Sequence, residues 1–285
     1  MDENLLNFHV WRPASWLHVA GPDAFAFLQG QFSNDLRALD QSQGEAVHGL
    51  WLNQKGRVLA DGFVLRTGKP DGFWVGSYFS PAVTVRERLE SHLIADDVQI
   101  EDQTDRWHGL TVFGAVAPAD VVGVEAISFR GRRGGSPSRE WLMTREPVQL
   151  QGRLLSGAEM QERRITAGIP AVPLDIGPGD LPQEGGLETV AVSFNKGCYL
   201  GQEVMARLQS MGTPRRRLFR VASDGTIPPV GTPLQQEGRT IGEMRSSVVT
   251  KNGFIGLAML QLAPLKSGQP LTAAGGEVVQ IVSPV

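Results

Sequence analysis

The chain has 285 residues, 41% of them hydrophobic and 20% charged, values ordinary for a soluble globular protein of two or three domains. Its net charge of −3 excludes a molecule that binds nucleic acid through its overall field, and its single cysteine excludes an internal disulfide framework. No apolar run approaches the roughly 20 residues of a membrane span, and the start Met1-Asp2-Glu3-Asn4 lacks the basic and apolar regions of a signal peptide. A cytoplasmic protein without membrane contact is expected.

Leu17-His18-Val19-Ala20 reads as a strand, and Gly21-Pro22-Asp23 starts a helix with Phe25, Leu28 and Phe32 on its apolar face. Strand-like runs at 45–52 and 57–66 flank Asn53-Gln54-Lys55-Gly56 as a hairpin. Lys69-Pro70-Asp71-Gly72 turns the chain into a short strand through Phe73 and Val75. Val85, Leu89 and Leu93 recur at helical spacing between Pro81 and Ile94. Strands are expected at 97–101, 109–114, 124–129 and 139–144. Ser156-Gly157-Ala158-Glu159 matches a capping box and opens a helix toward Ala167.

Glycines and prolines keep 168–187 irregular, and so long a loop is often functional. It leads through Thr189-Val190-Ala191-Val192 to a turn and then a helix from Gly201, with Val204 and Leu208 one turn apart. After Arg217, short apolar runs at 218–222, 239–249, 253–260 and 277–282 predict a small all-β unit, sandwich or barrel. A boundary falls near 211–216, around Gly212-Thr213-Pro214.

Cys198 sits in Lys196-Gly197-Cys198-Tyr199-Leu200-Gly201-Gln202-Glu203. A lysine two residues before it, glycines around it and unpaired helical N–H groups beyond it would favour a thiolate. The other reading is a structural cysteine buried in a tight strand-to-helix turn. The clusters Arg215-Arg216-Arg217 with Arg220, and Arg130, Arg132 and Arg133, are short and lack an aromatic nucleic-acid module. They read as solvated faces or as interfaces to carboxylate-rich surfaces. His9, His18, His48, His92 and His108 show no metal-ligand spacing, so no metal is expected. Trp51, Trp74, Trp107 and Trp141 read as core or cavity walls.

Lys196 to Glu203 resembles the signature K-G-C-Y-x-G-Q-E of the YgfZ folate-binding proteins, relatives of the aminomethyltransferase (T-protein) of the glycine cleavage system. Phe27 to Asp35, Asn53 to Arg57, Arg164 to Pro170 and Pro182-Gln183-Glu184 are similar to the same family, and the likeness runs along nearly the whole chain. The resemblance implies an α+β fold. A folate-binding region built partly of ferredoxin-like units spans 1–210, with about 45–105 as an inserted ferredoxin-like subdomain. A small β-barrel spans 211–285, and the parts surround a central cavity that holds tetrahydrofolate. It also implies a tetrahydrofolate-binding accessory protein that supports iron–sulfur cluster assembly or repair and, through iron–sulfur enzymes, tRNA modification. Its partners would be iron–sulfur proteins or their assembly machinery.

Carried over residue by residue, the resemblance makes Glu184 the carboxylate that accepts the paired donors of a pterin. Asp61 becomes the catalytic carboxylate near the folate nitrogens. Asn34 lines the cavity or caps a turn, with Asp35 assigned to the turn. Lys196, Gln202 and Arg207 serve the folate tail or the thiol. Arg207 alternatively bridges Glu203 along the helix, and Tyr199 stacks on a ring or packs in the core. Cys198 is the reactive group, although one cysteine cannot hold a cluster alone. The T-protein lacks this cysteine motif, so the chain reads as YgfZ-like. A folate-dependent one-carbon transferase centred on Asp61 is the alternative.

Overall fold

The computed structural model describes residues 6–40, 45–114, 126–147, 150, 152–273 and 275–285. The acidic start at Met1–Asn4 and the first two residues of the strand expected at 124–129 lie outside the described residues.

In chain order the elements are β1 (Asn7–Trp11), β2 (Ser15–Ala20), α1 (Ala24–Gln31), β3 (Val47–Leu52), β4 (Val58–Arg66), β5 (Gly72–Ser77) and α2 (Ala82–Glu90). There follow β6 (Gln99–Asp102), β7 (His108–Phe113), β8 (Ala126–Arg130), β9 (Ser138–Met143), β10 (Arg153–Leu154), α3 (Gly157–Thr166), α4 (Glu188–Ala191) and α5 (Gln202–Met211). The last third is β11 (Arg216–Ser223), β12 (Pro233–Gln236), β13 (Arg239–Thr250), β14 (Gly253–Gln261), β15 (Leu271–Ala273) and β16 (Val278–Pro284).

One sheet runs β10-β1-β7-β9-β8 and a second β3-β4-β5-β2-β6, while β11-β14-β13-β12-β15-β16 close into a barrel. The structure is therefore α+β with a C-terminal barrel. The strand β2 lies between β5 and β6, so the sheet built from 45–105 also includes the first strand the sequence shows. The stretch between α5 and β11, Gly212 to Arg215, is where the boundary was expected.

Local chemistry explains most elements. The β3–β4 hairpin closes because the Asn53 carboxamide oxygen accepts from the Lys55 and Arg57 amides at 2.9 and 3.0 Å, and Gly56 takes φ +68°. The Ser156–Glu159 capping box forms as read. One reading differs. The helix α2 ends at Glu90 rather than near Ile94, because the Ser91 hydroxyl turns back on the Arg88 carbonyl at 2.9 Å. Before the Cys198 loop, Glu188–Ala191 forms one helical turn, held by the Ala191 amide on the Leu187 carbonyl.

The helices α1 and α2 cover one face of the second sheet over Leu17, Val19, Val64, Val85 and Leu89. Its other face meets the first sheet through aromatic rings. Phe63 of β4 meets Phe129 of β8 at 4.8 Å, beside Trp16 and Trp74 of the second sheet, which stack on each other at 5.1 Å. Each such buried side chain contributes about 1.5–3 kcal/mol. A third core joins Leu50, Leu52 and Val58 to α3, α5 and the barrel residues Leu218, Leu257 and Met259. The helix α3 packs on β13 and β14, so the barrel supports the sheets from behind that helix.

Candidate functional site

Where the two sheets, α3 and the 168–191 segment converge, a cavity of about 220 Å³ remains. No barrel residue lines it. Strand parity places its central carboxylate. Asp61 shares the face of Phe63, which packs against the first sheet, whereas Ala60 and Val64 face the α1–α2 side. Asp61 therefore lies in the cavity wall and not toward water. Its Oδ1 accepts from the Ser77 and Ser80 hydroxyls, both at 2.6 Å, and Oδ2 accepts no hydrogen bond among the described residues. Burial raises its pKa, against those two hydroxyl bonds.

Much of the remaining polar lining was not singled out by sequence. The histidines His9 and His48 both border the cavity. His9 Nδ1 pairs with the Leu155 carbonyl at 2.8 Å, and burial lowers the pKa of His48 to about 4, keeping it neutral. Tyr78, Arg132 and Arg133 complete the polar wall. The two arginines correct the sequence reading of a solvated cluster, because the β8–β9 turn carries them into the space between the sheets. Behind them lies Glu140, fully buried, accepting from Thr111 Oγ1 at 2.6 Å. The Tyr78 hydroxyl and the Trp11 indole N–H approach its other oxygen without forming an aligned hydrogen bond. Parity with the inward Leu142 was the sequence signal for Glu140. Trp51, Trp74, Trp107 and Trp141 all serve the cores, and none lines the cavity.

Burial raises the Glu140 pKa to about 7, from an ordinary 4.5. Between those values the unfolded chain releases this proton and the folded one retains it. Stability is therefore expected to fall as pH rises from about 4.5 to about 7, by up to about 3 kcal/mol. Glu140→Gln removes that slope. Urea unfolding of both proteins at pH 5 and pH 8 checks it; equal pH dependence in the two would assign the titration elsewhere.

Around Cys198 the signature is mostly scaffolding. The Lys196 ammonium is buried and donates to the carbonyls of Gln29, Phe32 and Asn34 at 2.6, 2.6 and 2.9 Å. It closes the C-terminal end of α1, where a cation is favoured. Burial lowers its pKa to about 8. It also lies 5.2 Å from the Tyr199 ring centre. Tyr199 is a core residue. Gly201, at φ +86°, sits so close to the β3–β4 hairpin that a Cβ there would fall 2.8 Å from the Asn53 carbonyl. Gln202 Oε1 accepts from the Tyr199 amide at 3.3 Å, closing the loop on itself. Cys198 is exposed and is the free thiol of this loop, so the buried structural cysteine is excluded. It does not line the cavity.

Several expectations change accordingly. Lys196, Tyr199, Gln202, Glu203 and Arg207 do not line the cavity. Glu203 and Arg207 are exposed on α5, and no ion pair joins them. Glu184 is buried but bound elsewhere. Its carboxylate accepts from Arg216 at 2.8 and 3.3 Å and from the Leu181 amide at 2.7 Å. That clasp belongs to the junction of the 182–185 turn with β11, where Arg216 also meets Asp180 at 2.5 Å. Asp61 is in the wall of this cavity, whereas Glu184 borders a separate pocket with Arg57, Gly179 and Arg216. Asn34 borders a shallow surface pocket beside the cavity, sharing His48 and Arg132 with it, and donates to the His48 carbonyl at 2.8 Å. Asp35 caps its turn through the Arg37 amide at 3.0 Å. Among the described residues no group of three or more His, Cys, Asp or Glu is placed to hold a metal ion, and no helix is long and apolar enough to cross a membrane.

The family model "GCVT N-terminal domain" matches residues 14–125, and "CAF17, C-terminal beta-barrel domain" matches 215–284. The human protein named iron-sulfur cluster assembly factor IBA57, mitochondrial, is 30% identical over 293 residues, spanning 94% of this chain and 81% of that protein. The tRNA-modifying protein YgfZ of Shigella dysenteriae is 26% identical, spanning 88% and 83%. The crystal structure of glycine cleavage system aminomethyltransferase T from Bartonella henselae superposes with a TM-score of 0.76 over 98% of this chain and 85% of that one; at 17% identity this is a likeness of fold. With similarity to both curated groups over most of each chain and both family domains matched, the chain belongs to the IBA57/YgfZ family, built on the fold of the glycine cleavage aminomethyltransferase.

Proposed function

We propose that this protein is an iron–sulfur cluster assembly factor that holds a reduced folate in its central cavity and presents Cys198 to an iron–sulfur partner. The observation that carries this reading is the division of labour within the signature. Lys196, Tyr199, Gly201 and Gln202 are engaged in holding the loop, and Cys198 is its exposed nucleophile. A thiol fixed on a braced surface loop suits contact with another macromolecule. One thiolate cannot complete a cluster's ligand set, so any cluster is cargo shared with a partner that supplies the other ligands. A free exposed thiol also suits a reducing compartment, and we place the protein in the cytoplasm. tRNA modification follows indirectly, through iron–sulfur enzymes, without direct nucleic-acid binding.

The cavity is smaller than the roughly 300–1,000 Å³ of sites for drug-sized ligands. It therefore suits the bicyclic head of a reduced folate, the rest extending through the opening. The free Oδ2 of Asp61 would accept the adjacent ring N–H and amino donors. Asp61 in the wall also favours a second reading, folate-dependent one-carbon transfer, in which this carboxylate positions or protonates the folate nitrogen.

Two measurements separate the readings. Cys198→Ser is expected to abolish recovery of an iron–sulfur enzyme in cells lacking the protein while leaving thermal stability within about 0.5 kcal/mol. Full recovery would remove the thiol from the function. Calorimetry with tetrahydrofolate is expected to show binding that Asp61→Ala weakens at least about tenfold, the effect of losing a charge-assisted pair of hydrogen bonds. A turnover product from an aminomethyl donor, lost in Asp61→Ala, would establish the transferase instead.

A further inference from the structure

We propose that Arg132 and Arg133 form a carboxylate-recognition pair in the wall of the central cavity, and that the cavity's ligand carries an organic carboxylate. The pair itself stands without the folate reading; only one of its two ligand sources rests on it.

Both side chains line the cavity. They project from the turn between β8 and β9, beside Gly131 and Gly134. Arg133 packs over two rings that also touch each other, its guanidinium 4.7 Å from the Trp11 centre and 4.9 Å from that of Tyr78, with the ring centres 5.1 Å apart. Its hydrogen bond is a long one, 3.5 Å to Thr111 Oγ1. Arg132 makes no hydrogen bond among the described residues, and neither arginine is in a salt bridge there. The neighbouring buried arginine is treated differently: Arg164 meets Asp175 at 2.5 Å. A charge withdrawn from water is ordinarily matched by a partner.

The nearest carboxylates, Asp61 for Arg132 and Glu140 for Arg133, attract them but close no salt bridge with them among the described residues. Burial outweighs both attractions, so each arginine holds its proton less tightly than in water. Leu50, Phe79, Met160 and Ile169 make much of the remaining wall apolar. Such a wall favours an acid on an organic body over a bare inorganic anion. A planar guanidinium fork matches a carboxylate with two parallel hydrogen bonds. Arg132 also borders the surface pocket at Asn34 and His48, so this member of the pair faces both the cavity and the surface beside it.

The carboxylate has two possible sources: the glutamate tail of a folate, or a separate small acid that shares the cavity. Calorimetry with tetrahydrofolate, a tetrahydropterin lacking the tail, p-aminobenzoylglutamate and benzoate distinguishes them. R132Q is the primary variant because it breaks no described bond; R133Q is added once its thermal unfolding matches wild type. R132Q is expected to weaken carboxylate-bearing probes about 10- to 100-fold and to leave the tail-less tetrahydropterin within about twofold. R132K is expected to recover part of the loss, keeping the charge without the fork.

Loss for tetrahydrofolate and p-aminobenzoylglutamate identifies the folate tail. Loss for benzoate with tetrahydrofolate unchanged identifies a separate acid. R132Q that binds every carboxylate probe as wild type does overturns the pair, as does wild type that binds none of them. Wild type that binds the carboxylates but neither tetrahydrofolate nor tetrahydropterin overturns the folate reading and leaves the pair standing.

Discussion

Lys196→Met is expected to lower the unfolding free energy by about 3–5 kcal/mol. Methionine keeps the length and apolar stem of lysine but donates nothing. Its introduction leaves the carbonyls of Gln29, Phe32 and Asn34 without the ammonium that now meets all three. Hydrogen bonds to a charged group contribute about 1.5–3 kcal/mol each, and acceptors left buried without a donor add their own cost. Against a total stability of about 5–15 kcal/mol the variant should be marginal. Urea unfolding of Lys196→Met beside Cys198→Ser is the measurement. Equal midpoints for the two variants would mean that the lysine holds nothing, and its place in the signature would then have to be explained by ligand or thiol. Lys196→Arg is not expected to rescue, because a planar fork cannot aim three donors at the three carbonyls.

The lysine also shows how stretches far apart in the sequence are tied together in space. Phe27–Asp35 supplies the carbonyls that Lys196 ties. Asn53–Arg57 supplies the hairpin against which Gly201 lies. Pro182–Glu184 belongs to the turn clasped by Arg216, while Arg57 donates to the Gly179 carbonyl at 2.7 Å just before it. The first two segments meet at the Cys198 loop, and Gln183 of the third reaches Met205 on the helix that follows it. Their residue types are constrained by mutual contact, which a linear reading treats as separate motifs with separate chemistry. Lys196, Tyr199 and Gln202 were assigned to a ligand for this reason; their hydrogen bonds and packing are internal.

Elements governed by local rules were legible. The hairpin at Asn53–Gly56, the Ser156 capping box and four of the six barrel strands, β11, β13, β14 and β16, follow from turn chemistry and short-range periodicity, whereas the short β12 and β15 were not read. Elements governed by distant partners were not. The strand β1 carries no hairpin signal of its own, since its partners are β7 and β10, far along the chain. Arg132 and Arg133 illustrate the same limit at the site. Arginines in a glycine-rich turn are ordinarily solvated, and nothing local reveals that a second sheet closes over them. Asp61 and Glu140 were in principle readable by parity with Phe63 and Leu142, but parity identifies an inward face without saying whether a core or a cavity lies there.

Asp175→Ala is expected to cost about 3–5 kcal/mol, more than replacing Arg164 and Asp175 together. The Arg164 guanidinium is buried at 2–3% exposure, bound to Asp175 at 2.5 Å, to the Ile169 carbonyl at 2.7 Å and to Ser246 Oγ at 3.0 Å. One side chain thus ties α3 to the irregular segment after it and to β13 of the barrel. Asp175 also accepts from the Ala171 amide at 2.8 Å, which folds that segment back on itself. Removing Asp175 alone leaves the guanidinium buried without its counter-charge. Replacing both residues, with Arg164→Met and Asp175→Leu, removes the unmatched charge and restores apolar volume, so the double variant should be the more stable of the two. A double-mutant cycle by urea unfolding, with Arg164→Met and Asp175→Leu also made singly, reads this as a coupling energy of about 2 kcal/mol or more. Simple additivity of the single variants would mean that the pair is not coupled. Because Arg164 and Ile169 also line the cavity, Asp175→Ala should weaken ligand binding there, whereas a distant surface substitution of equal stability cost should not. That contrast separates a wall held in shape by the ion pair from a general loss of folding.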